Sequence, residues 1–149
     1  EDTEDVLSES SKSLENAIAY AKKIISQAIA LRDQNSGNKN RSILKTAVDF
    51  IDSHYMEEDM SLNKAANAAN VSANHFSALF SQNMGQTFIE YLTNLRMNKA
   101  KEYLRCTSMR SSEIAGEIGY KDAHYFSYLF KKTQGMTPSD YRKAREDKA

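Results

Sequence analysis

Apolar residues recur along most of this chain at steps of three and four, the period of one face of an α-helix. In the segment Val6 to Arg32, the residues Leu7, Leu14, Ile18, Ala21, Ile25 and Ala28 form such a stripe, widened by Ala17, Ile24 and Leu31. This predicts one amphipathic helix, either a connector packed on a neighbouring domain or a short coiled coil that dimerises. The stretch Asn35 to Asn40 (NSGNKN) has no period and is rich in turn formers, so it reads as a linker. A second helix is expected from Ile43 to about His54, with Ile43, Leu44, Ala47, Phe50 and Ile51 on one face. Ser61 is placed to cap a helix from Leu62 to Asn70. A helix from Ala73 to Asn83 should end at Gly85, because a residue without Cβ takes the left-handed conformation just past a helix end. A longer helix from Thr87 to Leu104 follows, roughly 27 Å long at about 1.5 Å per residue.

The pattern then repeats. HFSALFSQNMGQTFIEY (75–91) returns as YFSYLFKKTQGMTPSDY (125–141), so that Phe76, Ser77, Leu79, Phe80, Gly85, Thr87 and Tyr91 match Phe126, Ser127, Leu129, Phe130, Gly135, Thr137 and Tyr141. Upstream, Ala66 and Ala69 align with Ala115 and Ile118 with one residue less between the copies, which puts one extra residue in the second turn. In each copy the Phe, Leu, Phe triple lies at i, i+3, i+4 and belongs to a core face. The opposite face carries Asn74, Ser77, Ala78, Ser81 and Gln82 in the first copy and His124, Ser127, Tyr128, Lys131 and Lys132 in the second. Asn and Gln offer paired donors and acceptors to adenine, Ser, His and Tyr donate to base edges, and Lys neutralises phosphate. A connector of roughly 27 Å suits two helices in successive major grooves, about 34 Å apart.

Composition qualifies this picture through its distribution. The 149 residues carry 20 basic and 20 acidic side chains, a net charge of zero. Residues 1–60 hold twelve acids and seven bases, whereas residues 61–149 hold eight acids and thirteen bases. An acidic piece is thus joined to a basic one, and the basic piece holds the repeat. Five Gly and a single Pro leave few places for hairpins, so the fold class expected is all-α. No apolar run approaches the roughly 18 residues that span a bilayer, so a cytoplasmic protein with no membrane partner is expected.

The residues SEIAGEIGYKDAHYFSYLFKKTQGMTPSDYRKAR (112–145) resemble the C-terminal signature of AraC/XylS-family transcription regulators, and TFIEYLTNLRMNKAKEYL (87–104) resembles the family's linker. The resemblance covers about Ile43 to Arg145. SLNKAANAANVSANHFS and RSSEIA are similar to the output domains of AraC-type two-component response regulators, whose phosphorylated receiver would precede residue 1. The resemblance implies base reading by Asn74, Ser77 and Ala78 and by His124, Ser127 and Tyr128. It implies phosphate contacts from Ser81, Gln82, Arg96, Lys131, Lys132 and Arg142. Ala78 departs from the long basic or amide side chain of many members and offers only a methyl contact, for example to thymine. Ser72, Asp122 and Thr137 are placed to cap helices, with Pro138 at a favoured first helical position.

The expected organisation is an N-terminal connector or dimerising helix with its linker over 1–40, then a DNA-binding domain over 41–149. That domain comprises a helix-turn-helix lobe at about 43–86, a linker helix at 87–104 and a second lobe at 111–145. Double-stranded DNA is the expected partner, regulated by a receiver or sensory domain outside this chain, with RNA polymerase and a homodimer left open. No catalytic residue, metal or cofactor is expected: His54, His75 and His124 do not pair at helical spacing, and Cys106 reads as a small apolar filler. Two other readings compete, a ligand-responsive regulator of the same family and a helical protein-interaction module.

Overall fold

The computed structural model describes the backbone of residues 2–146 and the side chains of residues 14–144. Among these residues all regular structure is helical: α1 (Asp2–His54), α2 (Leu62–Ala68), α3 (Ala73–Met84), α4 (Phe88–Cys106), α5 (Ser111–Glu117), α6 (Ala123–Gln134) and α7 (Pro138–Glu146). The chain divides into two compact units, Glu1–Arg41 and Ser42–Ala149.

The first unit consists of helix. The NSGNKN stretch lies inside α1, which corrects the expectation of a linker there. Asn, Ser and Gly each lower helix propensity by up to about 1 kcal/mol relative to Ala, yet the stretch holds no Pro, so no backbone donor is removed. Leu14, Ile18, Tyr20, Ile24, Ile25, Ile29 and Leu31 are all exposed. Leu7 falls outside the described side chains.

The second unit holds two cores. In the first, Ala47, Ile51 and Tyr55 pack with Met60, Ala65, Ala66, Phe76, Phe80, Phe88 and Leu92. In the second, Met97, Ala100 and Leu104 pack with Ile114, Ala115, Ile118, Tyr120, Phe126 and Phe130. Helix α4 serves both, because its apolar positions continue along one face from Phe88 to Leu104. Each of Phe76, Phe80, Phe126 and Phe130 is fully buried, worth about 1.5–3 kcal/mol apiece in transfer free energy. Tyr91 anchors the N-terminal half of α4 by donating its hydroxyl to Asp52 Oδ1 at 2.9 Å. Burial and this carboxylate push the phenol up to about 12, so it remains a donor throughout the neutral range.

The duplication extends to the ends of the helices. α2 and α5 begin and end 49 residues apart, and α3 and α6 do so 50 apart. Tyr120 N donates to Ala115 O at 2.8 Å as Val71 N does to Ala66 O at 3.0 Å, so the residue added in the second turn is Lys121.

Candidate nucleic-acid interface

Both second helices of the two pairs start from a side-chain cap. Ser72 Oγ accepts from His75 N at 3.2 Å, and Asp122 Oδ1 accepts from His124 N at 2.8 Å and Tyr125 N at 3.3 Å. These bonds occupy backbone donors that the first turn of a helix leaves without intrahelical partners. Both helices end on a glycine in the left-handed region, Gly85 at φ 66° and Gly135 at φ 78°. The helices that follow are capped alike: Thr87 Oγ1 accepts from Glu90 N at 3.3 Å, and Thr137 Oγ1 from Asp140 N at 3.2 Å.

With Phe76 and Phe80, or Phe126 and Phe130, turned inward, the helical period forces the intervening positions outward. Asn74, Ser77, Ala78 and Gln82 are exposed on α3, and Ser81 is half-buried beside them. On α6, His124, Tyr128, Lys131 and Lys132 are exposed, Tyr128 to 61%. Ser127 is half-buried and donates its hydroxyl to Ala123 O at 2.9 Å, which leaves its oxygen free only to accept. The structure thus gathers ten side chains on two helix faces. The α6 face carries larger, aromatic and cationic side chains, while the α3 face carries small or uncharged ones.

Two residues expected to contact phosphate are placed elsewhere. Arg96 is 6% exposed. Its Nε donates to Tyr55 O and its Nη2 to Glu57 O, both at 2.8 Å, and its Cζ lies 4.9 Å from the centre of the Tyr120 ring. Burial lowers the tendency of this guanidinium to hold its proton, an effect opposed by Tyr120. Arg142 is half-buried, donating to Leu104 O at 3.3 Å and to Met109 O at 2.7 Å. Both guanidiniums satisfy carbonyls at loop and helix ends, the groups that buried backbone must pair. They are structural ties and are withdrawn from the phosphate set. Cys106 is exposed and so is not a packed filler.

Sequence reasoning passed over two features. A cleft between the lobes is lined by Ile89 and Thr93 of α4 and by Tyr125 and Leu129 of α6, with Tyr120 of the second turn. Leu129 is only half-buried because it borders this cleft, so the second Phe, Leu, Phe triple is not wholly core. The other feature is the setting of Arg96, and its signal was available: Leu92, Arg96, Ala100 and Leu104 follow one another at steps of four, so the buried stripe of α4 runs through the arginine. Among the described residues no group of His, Cys, Asp or Glu side chains could hold a metal ion, and no helix is long and apolar enough to cross a membrane.

Comparison with known proteins agrees with this geometry. Residues 65–144, more than half of the chain, match the family model of a helix-turn-helix domain. Over 99 residues the chain is 36% identical to the lactose operon transcription activator of Staphylococcus xylosus, covering 66% of this chain and 35% of the activator. It is 34% identical over 92 residues to the uncharacterised helix-turn-helix transcriptional regulator YtdP of Bacillus subtilis, covering 62% of this chain and 12% of that protein. The chain therefore spans about a third or less of the length of these curated relatives. Among solved structures, it is similar to the C-terminal domain of AraT, a response regulator from Geobacillus stearothermophilus. That likeness has a TM-score of 0.67 and 39% identity, and covers 68% of this chain and 84% of the other. The matched family model, the paired helix-turn-helix lobes and the linker helix together make this chain a member of the AraC/XylS family of helix-turn-helix transcription regulators, carrying its DNA-binding domain.

Proposed function

We propose that the unit from Ser42 onward is the sequence-reading output domain of a response regulator and lays α3 and α6 in successive major grooves of duplex DNA. The observation that carries this reading is the duplication of the whole helix-turn-helix frame, with both outward faces left polar. A helix of this diameter fits a major groove, and α4, at 19 residues about 28 Å long, is of the order of one helical turn of DNA. Asn74, Ser77, Ala78, His124, Ser127 and Tyr128 are assigned to base edges. Ser81, Gln82, Lys131 and Lys132 are assigned to phosphates.

Likeness to the AraT domain supports the response-regulator role, with α1 joining the output domain to a phosphorylated receiver. A second reading draws on the Staphylococcus xylosus activator: the same domain under control of a small-molecule sensor. The sequence of the full-length protein separates the two, since a receiver carries a phosphorylatable aspartate and a sensor a ligand pocket. DNA binding itself is tested by titrating the chain against duplex DNA between 50 and 200 mM salt. Two phosphates neutralised by Lys131 and Lys132 should by themselves account for a loss on the order of tenfold in affinity through counterion release. A flat response without sequence preference would point to a protein-interaction module instead.

A further inference from the structure

Arg96 stands where three segments meet. It projects from the middle of α4, between Leu92 of the first core and Met97 of the second. Its fork grips two carbonyls of the first lobe, Tyr55 O and Glu57 O, while its flat face lies against Tyr120 in the turn of the second lobe. Gly119, beside Tyr120, is built around this contact. A Cβ there would fall 2.6 Å from Arg96 Nη2 and 2.9 Å from Tyr55 O, and the backbone holds φ at +89°. The equivalent residue of the first lobe is Asn70, which takes the left-handed conformation at φ 55° with a side chain present. Gly119 adds to a wider φ, itself unfavourable for any side chain, the close approach of the first lobe, which Asn70 does not meet in the same form.

We infer that Arg96 is a positioning residue that sets the angle between the two helix-turn-helix lobes, and thereby the half-site spacing the domain accepts on DNA. This rests on the reading that α3 and α6 both enter the duplex. A buried guanidinium whose carbonyl partners lie in one lobe and whose aromatic partner lies in the other has few low-energy alternatives, because any rotation strands a desolvated charge. The joint lies immediately before Asp122, the cap of α6, so it acts on that helix as a lever. α6 is 12 residues or about 18 Å long, and a rotation of about 10° at its start displaces its far end by about 3 Å. That is close to the rise of one base pair, about 3.4 Å.

The test uses the chain as it stands and a duplex carrying its two preferred half-sites, with variants one base pair longer or shorter between them. The unaltered chain is expected to lose about tenfold in affinity at either altered spacing, a penalty comparable to one mismatched pair. Arg96→Lys, which keeps the charge but lacks the planar fork, and Gly119→Ala, which forces the contact apart, should cut that penalty to less than about threefold. Base preferences inside each half-site should remain. Without DNA, spin labels at Gln82 and Lys132 in a Cys106→Ser background should show a broader distance distribution in both variants. An undiminished spacing penalty in a folded variant overturns the inference, as does a spacing penalty absent from the unaltered chain. Loss of helical circular dichroism in both variants also overturns it, since the joint would then serve folding and not the lobe angle. If the unaltered chain binds no duplex, the functional reading itself has failed, and the spacing inference fails with it.

Discussion

The two lobes share one backbone and present different surfaces. The features that fix the backbone occur in both: a capping side chain at Ser72 and Asp122, a left-handed glycine at Gly85 and Gly135, and inward rings at Phe76 and Phe80 and at Phe126 and Phe130. The outward faces differ. α3 carries no Lys, Arg, Asp or Glu, whereas α6 ends in Lys131 and Lys132 and displays Tyr128 and His124. The neighbourhood of the first lobe is acidic as well, with Asp49, Asp52, Glu57, Glu58 and Asp59 on or just after the end of α1. Positions that a helix-turn-helix needs for its geometry have little freedom, while outward positions affect only what the helix touches. On the proposed reading, the second lobe should supply more of the affinity and base preference than the first.

The largest effect expected is on stability, where the lobes should behave alike. Phe76→Ala and Phe126→Ala each remove a fully buried ring and should each cost about 3–5 kcal/mol in denaturant titration. A much smaller loss in one would mean that its core is not the equal of the other. At the DNA surface the lobes should part. Tyr128→Ala should cost about 1–3 kcal/mol of preference at the half-site read by α6. Ser77→Ala should change preference at the other half-site by less than about 1 kcal/mol. Equal losses, measured by competition between matched and mismatched duplexes, would break the asymmetry. The double change Lys131→Ala with Lys132→Ala should reduce the slope of log affinity against log salt by about two, while Ser81→Ala with Gln82→Ala should leave it unchanged. The smallest effect concerns the caps. Asp122→Ala should destabilise by about 1 kcal/mol, and Ser72→Ala by less, because Asp122 accepts from two amides where Ser72 accepts from one.

Local features of the fold were legible in the sequence because local chemistry determines them. A cap needs one particular side chain at one position, a helix end needs a glycine, and a core face shows its period, so the two lobes and α4 follow from the residues. The continuity of α1 through NSGNKN was not legible, since turn formers lower helix propensity without forbidding a helix, and only Pro would have removed a backbone donor. The outward faces of α3 and α6 follow from the same periodicity as their cores. The two arginines were misread for another reason. Arg96 meets carbonyls 41 and 39 residues earlier in the chain, and Arg142 meets carbonyls 38 and 33 residues earlier. Such partners leave no local trace, so little near either arginine in the sequence opposes the phosphate contact that the resemblance implies. In Arg96 the four-residue steps of the buried stripe were the one available warning.

Selection of bound sequences from a random duplex pool tests the central claim most directly. If α3 and α6 each read a major groove, the selected sites should contain two distinct half-sites with centres about 10 base pairs apart, one helical turn, and the one read by α6 should be the more sharply defined. A single short half-site, or no enriched sequence at all, would contradict it.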